Sequence, residues 1–266
     1  MAFVERQDAS IYWNSLGQGE PVVLIMGLGC SSAMWFRVAP QLARKHRVIL
    51  LDNRGSGRTR VRHGIVHRVS NMAADVAAVL DACNEKSAHV LGFSMGGMIA
   101  QQFLIDFPER ARSLILLGTH PGGPWAEQAS LQVRQLLFAR AYMSAQESFE
   151  LMRPHTYADQ TPMDMVQEDA LVRLTNHPTA RDYQAQLFGL ISWSAYQQLP
   201  AMKVPALVMH GLQDKLIPPA NGKLIASRLS NSKLIELPNA SHWMMTDSNA
   251  ECLKAIEQHL KEHSQT

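Results

Sequence analysis

The pentapeptide Gly92-Phe93-Ser94-Met95-Gly96 constrains this chain more than any other stretch. A G-x-S-x-G pattern alone is common. Here it follows an apolar run at residues 88–91 and opens a segment with helical spacing from residue 97. That context predicts a sharp strand-to-helix bend with a serine at its apex. Bulky neighbours would clash at such a bend, which accounts for the glycines on either side. The bend lifts the Ser94 hydroxyl off the sheet edge. It also aims the backbone N–H of Met95, at a helix N-terminus, at the space in front of that hydroxyl.

Other short apolar runs stand at residues 22–26, 47–51, 113–117, 205–210 and 233–237, with two further opening strands expected at 2–6 and 10–13. Runs this short and this apolar read as parallel strands buried on both faces. Helical spacing separates them at 72–83, 97–107, 220–229 and 249–262. The alternation predicts an α/β fold with a mostly parallel central sheet flanked by helices. Residues 119–200 break it. They hold no convincing strand and read as helices at 131–143, 145–152, 162–173 and 180–188, punctuated by prolines. The expected organisation is a core of residues 1–118 and 201–266 with a helical lid inserted at 119–200.

Composition excludes several classes. A net charge of +2 with no Lys/Arg-rich run gives no electrostatic case for nucleic acid or an anionic membrane. The three cysteines, Cys30, Cys83 and Cys252, are too scattered for a disulfide framework or a C-x-x-C site. The charge-free stretch at 87–105 holds a histidine, two glutamines and several glycines, so it reads as strand, turn and helix rather than a membrane span. A soluble cytoplasmic protein is expected. No histidine and carboxylate cluster has metal-ligand spacing, and no phosphate-binding glycine motif occurs, so neither metal nor cofactor is expected.

Further stretches follow in order. Met26-Gly27-Leu28-Gly29 ends the first parallel strand, and Asp52-Asn53-Arg54-Gly55 ends the next. His210-Gly211-Leu212-Gln213-Asp214 and Asn239-Ala240-Ser241-His242-Trp243 follow the last two strands. In type, order and strand context these segments, with the serine bend, resemble the α/β-hydrolase family across nearly the whole chain. The resemblance implies a catalytic triad of Ser94, Asp214 and His242, with an oxyanion hole formed by the backbone N–H groups of Leu28 and Met95. The chemistry agrees. A serine hydroxyl needs an adjacent base, a histidine can take and return the proton, and a carboxylate fixes the histidine's tautomer. The strand before the insertion ends Gly118-Thr119-His120 without a carboxylate, which favours Asp214 as the acid. Where the family often has His-Gly at the oxyanion loop, this chain has Met26-Gly27.

The remaining histidines read as structural or solvated: His46, His63, His67, His259 and His263 in polar contexts, His89 and His210 at strands. His120 is a structural residue or a lining of the pocket entrance. Trp35, Trp125, Phe138, Met143 and Trp193 are candidate pocket residues, although for each alone simple packing onto the sheet is the favoured reading. Phe149, Met152 and Phe188 stand in the same position. Cys30 reads as a small inert side chain.

The resemblance implies a serine-dependent hydrolase of a carboxylic ester with an apolar part, acting through an acyl-enzyme on a small molecule. The same machinery serves methyl esterases of carrier-bound acyl chains, enol-lactone hydrolases and carbon–carbon bond hydrolases. A receptor whose lid closes over a ligand is the reading from another class. The insertion carries five arginines, no lysine and eight carboxylates, a net charge of −3 that disfavours docking a strongly acidic carrier protein.

Overall fold

In a computed structural model, which describes residues 2–62, 66–175 and 177–264, nine strands form one sheet. They are β1 (Ala2–Glu5), β2 (Ala9–Leu16), β3 (Glu20–Ile25), β4 (His46–Leu51), β5 (Arg60–Val61), β6 (Ala88–Phe93), β7 (Ala111–Leu117), β8 (Ala206–Gly211) and β9 (Ser232–Leu237). The order is β1-β2-β4-β3-β6-β7-β8-β9, with β5 paired to β2. The pairings of β1 with β2 and of β2 with β4 are antiparallel, and all those from β4 to β9 are parallel. The two-residue strand β5 has no sequence signal of its own. It is held by Ala9 and Ser10 across the ladder.

The side-chain period of two divides each central strand between two cores. From β3, Val23 and Ile25 enter one core with Met72, Val76, Ile99 and Phe103, while Val22 and Leu24 enter the other with Leu42, Ile256 and Leu260. The first core is covered by α2 (Val69–Ala82), α3 (Met95–Asp106) and part of α8 (Ala220–Arg228). The second is covered by α1 (Ala39–Leu42) and α10 (Asn249–Glu262). Burial on both faces is why these strands read as continuous apolar runs.

Between β7 and β8 the chain carries four longer helices, α4 (Leu131–Ala139), α5 (Ala145–Thr156), α6 (Met163–Thr175) and α7 (Ala180–Ile191). Helix α5 runs past Pro154, where the sequence pattern predicts an earlier stop. Its start is fixed by a reciprocal capping box between Ser144 and Glu147, and Pro154, which has no N–H to donate, falls in its last turn, two residues before its end. A four-residue helix, α9 (Met244–Asp247), was not expected and starts two residues after His242, with Trp243 as its N-cap. Among the described residues, no helix is long and apolar enough to cross a membrane.

Three histidines expected to be solvated are buried: His46 opens β4, His67 lies under α7, and His259 faces the core from α10. Their sequence neighbours are polar, but the groups that cover them come from distant segments. His63 lies outside the described residues.

The sheet order reverses direction at β3, with β4 on one side and β6 on the other. In an open parallel sheet the crevice beyond the carboxyl ends of strands at such a reversal is where ligands bind. The Leu28 loop, Ser94, Thr119, Asp214 and His242 all follow the carboxyl ends of β3, β6, β7, β8 and β9.

Candidate active site

Ser94 sits between β6 and α3 with φ 56° and ψ −120°. This is left-handed backbone that a residue with a Cβ rarely adopts, and it persists because the surroundings hold it. The Ser94 N–H donates to Leu117 O at 2.8 Å, and the Thr119 hydroxyl donates to Ser94 O at 2.8 Å. Gly92 and Gly96 make the bend possible. A Cβ at Gly92 would collide with the Gly96 carbonyl, and one at Gly96 would collide with the Ile25 carbonyl.

His242 lies between β9 and α9, with its ring against Phe93 at 4.9 Å between centroids. Its Nε2 is 3.1 Å from Ser94 Oγ and its Nδ1 is 2.8 Å from Asp214 Oδ2. The carboxylate accepts the Nδ1 proton, which leaves the Nε2 lone pair facing the hydroxyl. The loop is braced on both sides of the histidine. Ser241 N–H donates to Asp247 at 2.7 Å, and Trp243 N–H donates to Thr156 O at 2.9 Å.

Asp214 is 4% exposed. Its Oδ1 accepts from Leu216 N–H at 2.9 Å and Ile217 N–H at 2.8 Å. Burial pushes this carboxyl up, but the His242 imidazole and the hydrogen bonds of His210 and His242 outweigh it and hold the pKa at about 2. His210 Nε2 donates to Ile217 O at 2.8 Å and lies 3.4 Å from Asp214 Oδ2. His210 therefore braces the acid turn rather than serving as a second base.

The backbone N–H groups of Leu28 and Met95 have no acceptor among the described residues, and both residues line the cavity in front of Ser94. Neighbouring groups are committed. Asn53 Nδ2 donates to Met26 O at 2.8 Å, and Gly29 N–H donates to Gln186 Oε1 at 2.8 Å. Asn53 thus braces the Met26 backbone, so the loop's support here comes from side chains outside it. Asp52 accepts from Ser32 and Arg58 and holds the neighbouring turn instead of reaching His242.

The cavity has a volume of about 270 Å³ and runs between the strand ends and the helical insertion. Of the five candidate pocket aromatics and methionines, Trp193 lines it. The other four do not, and the expectation is corrected for each. Trp35 is fully buried beneath the loop, packed with Met34 and Leu42 on the sheet. Trp125 stacks outside on Tyr196 at 4.4 Å. Phe138 is exposed on α4, and Met143 sits half-buried after the turn that follows it. Phe149 and Met152 pack inward without lining the cavity, and Phe188 faces out.

Several lining residues carried no sequence signal: Met98 from α3, Leu187 and Leu190 from α7, Trp243 beside the histidine, and Arg173 from α6. His120 does line the cavity, and its Nδ1 accepts from Gly122 N–H at 3.0 Å. Burial pushes its pKa down to about 4. It is therefore neutral at pH 7, with its proton on Nε2.

A model of the alpha/beta hydrolase fold matches residues 20–248. The chain belongs to the alpha/beta hydrolase family. Among its relatives in that family, a putative carbamate hydrolase, RutD, of Azorhizobium caulinodans is 28% identical over 91% of this chain and 91% of its own length. A pimeloyl-[acyl-carrier protein] methyl ester esterase of Aeromonas hydrophila is 26% identical over 93% of this chain and 98% of its own. The structure of an esterase from Exiguobacterium antarcticum superposes with a TM-score of 0.87 over 98% of this chain and 99% of that one, at 21% identity. That likeness concerns the fold. This alpha/beta hydrolase is an enzyme, and its general role is hydrolysis.

Proposed function

We propose that the enzyme hydrolyses a carboxylic ester with an apolar part through a covalent acyl-enzyme on Ser94. The observation that carries this reading is the continuous hydrogen-bond path from Ser94 Oγ through His242 to Asp214. In the first half, Oγ attacks the ester carbonyl and its proton passes to His242 Nε2. The oxyanion that forms is held by the N–H groups of Leu28 and Met95, each worth about 3 kcal/mol of transition-state stabilisation. The bond to the alkoxy oxygen then breaks, and Nε2 returns the proton to the departing alcohol.

In the second half, water gives a proton to His242 and attacks the acyl carbon. Collapse releases the acid and restores the Ser94 hydroxyl. Asp214 stays ionised throughout and stabilises the imidazolium. The insertion at 119–200 acts as the lid, since it supplies much of the cavity wall. The methyl esterase among the relatives supports an ester as the bond cleaved. A carbamate presents a carbonyl that the same groups could attack.

The test is release of p-nitrophenol from short- and medium-chain p-nitrophenyl esters. Repeated turnover by the wild type, with loss of at least a thousandfold in Ser94→Ala, supports the enzyme reading. A single slow burst without turnover favours a ligand receptor. Unchanged hydrolysis by Ser94→Ala rejects the role given to this serine.

A further inference from the structure

Among the described residues, one cation in the catalytic cavity has no carboxylate in direct contact with it. Arg173, on α6, is 9% exposed and lines the same cavity as Ser94 and His242. Its guanidinium lies over the Trp243 ring, 4.8 Å from the centroid, and Nη2 donates to the Cys30 sulfur at 3.5 Å. Its Nε is buried without a partner. Among the described residues Arg173 forms no ion pair. Asp169, one turn earlier on the same helix, is already committed. It accepts from Arg37 Nε at 3.1 Å, from the Tyr157 hydroxyl at 3.0 Å and from the Thr246 hydroxyl at 2.6 Å.

The contrast with Arg54 is direct. That guanidinium, also buried, pairs with Asp75 at 2.9 Å through Nη2 and with Asp8 at 2.7 Å through Nη1. Arginine cannot shed its proton in a protein, and a buried charge without a counter-ion is strongly unfavourable. An indole face and a thiol are weak, neutral partners for a group that makes its strongest bonds to carboxylates. Among the described residues the only carboxylate lining the cavity is Glu127, which is exposed, as is Arg134. The insertion carries net negative charge, yet it turns guanidinium groups toward the cavity.

We propose that Arg173 binds a carboxylate carried by the substrate, so that the enzyme selects anionic acyl compounds such as half-esters of dicarboxylic acids. This rests on the reading of Ser94 as the nucleophile in the same cavity. The substrate's carboxylate supplies the direct ion pair that Asp169, nearby but held by Arg37, does not make. The planar guanidinium offers it paired N–H donors, and Trp243 and the Leu187, Leu190 and Trp193 side chains enclose the apolar chain between charge and ester.

The test compares the mono-p-nitrophenyl ester of glutaric acid with the same ester bearing a terminal carboxamide. The wild type is expected to favour the acid at least tenfold in kcat/KM. Arg173→Gln is expected to cut that preference at least tenfold, mainly through KM, and Arg173→Lys to keep part of it. Equal use of both esters by the wild type, or a preference untouched in Arg173→Gln, overturns the proposal.

Binding is read separately by calorimetry with benzoate and benzamide on the Ser94→Ala protein. Benzoate is expected to bind at least tenfold tighter than benzamide, and equal binding overturns the proposal even if both esters turn over. If neither ester is hydrolysed, the serine-hydrolase reading fails and the benzoate comparison alone decides the anion site. If the Arg173 variants do not fold, the two wild-type comparisons still decide it.

Discussion

Gln186 ties the helical insertion to the loop that carries Leu28. From α7 its Oε1 accepts from Gly29 N–H at 2.8 Å, and its Nε2 donates to Arg54 O and to Ser56 Oγ, the latter at 2.9 Å. One fully buried side chain thus joins the insertion, the loop after β3 and the turn after β4. With Gly29 N–H committed to it, the Leu28 N–H is left to face the cavity.

Gln186→Leu leaves the Gly29 N–H stranded and the loop free to shift. We expect kcat to fall about tenfold or more, with a stability loss of about 1–3 kcal/mol. Gln186→Glu keeps the acceptor for Gly29 and is expected to recover part of kcat. Steady-state kinetics with urea unfolding on both variants checks this. Equal kcat in Gln186→Leu and wild type would separate the insertion from the oxyanion loop.

Ser94 holds its left-handed backbone at a cost in stability. Glycine meets no such penalty, so Ser94→Gly is expected to be about 1 kcal/mol more stable than Ser94→Ala, both being inactive. Gly96→Ala is expected not to yield folded protein, since its Cβ would occupy the position of the Ile25 carbonyl. Urea unfolding and soluble yield report on the two expectations.

Asp214→Asn keeps the size of the side chain but removes the charge that fixes the His242 tautomer. A loss of about 10³- to 10⁴-fold in kcat/KM is expected, with little change in circular dichroism. Because the wild-type carboxyl titrates at about 2, no acid limb of kcat/KM above about pH 3 belongs to it. A pH–rate profile on a neutral ester tests this.

Buried neutral histidines make the fold sensitive to acid. Burial pushes His89 down from its ordinary 6.5 to about 4, against the pull of Glu20, and its Nδ1 is engaged with Ser113 Oγ at 2.8 Å. The unfolded chain takes up this proton below about pH 6.5, whereas the folded chain resists until about pH 4. Stability is therefore lost as pH falls through that window, on the order of 3 kcal/mol from this residue. His259, also pushed down to about 4, adds to the slope. Unfolding free energies from pH 7 to pH 4 should show the fall, and His89→Gln should flatten it.

The parts of the site that local chain geometry dictates were legible in the sequence. The bend at Ser94 needs its glycines within two residues on either side, and Asp214 and His242 each follow an apolar run that announces a strand, β8 buried and β9 partly exposed at the sheet edge. The cavity wall was much less so. Trp35 lies close to the oxyanion loop in sequence, yet its ring turns beneath the loop onto the sheet. Phe138 lies on α4 and Trp193 just past the end of α7, and only the packing of these segments against the core decides which faces inward.

In sequence Arg173 is only the last residue of an expected helical stretch and one of the insertion's five arginines. Its meaning lies in what surrounds it, the Trp243 ring and the Cys30 sulfur, which come from opposite ends of the chain. His46, His67 and His259 went wrong for the same reason, since polar sequence neighbours do not reveal cover from distant segments.

The most direct measurement is peptide mapping of the protein after reaction with a fluorophosphonate, in the wild type and in His242→Ala. One adduct per chain on Ser94, formed at least a hundredfold more slowly without the imidazole, is the result expected from a hydroxyl activated by His242. Modification at another residue, or a Ser94 adduct that forms equally fast in both proteins, would contradict it.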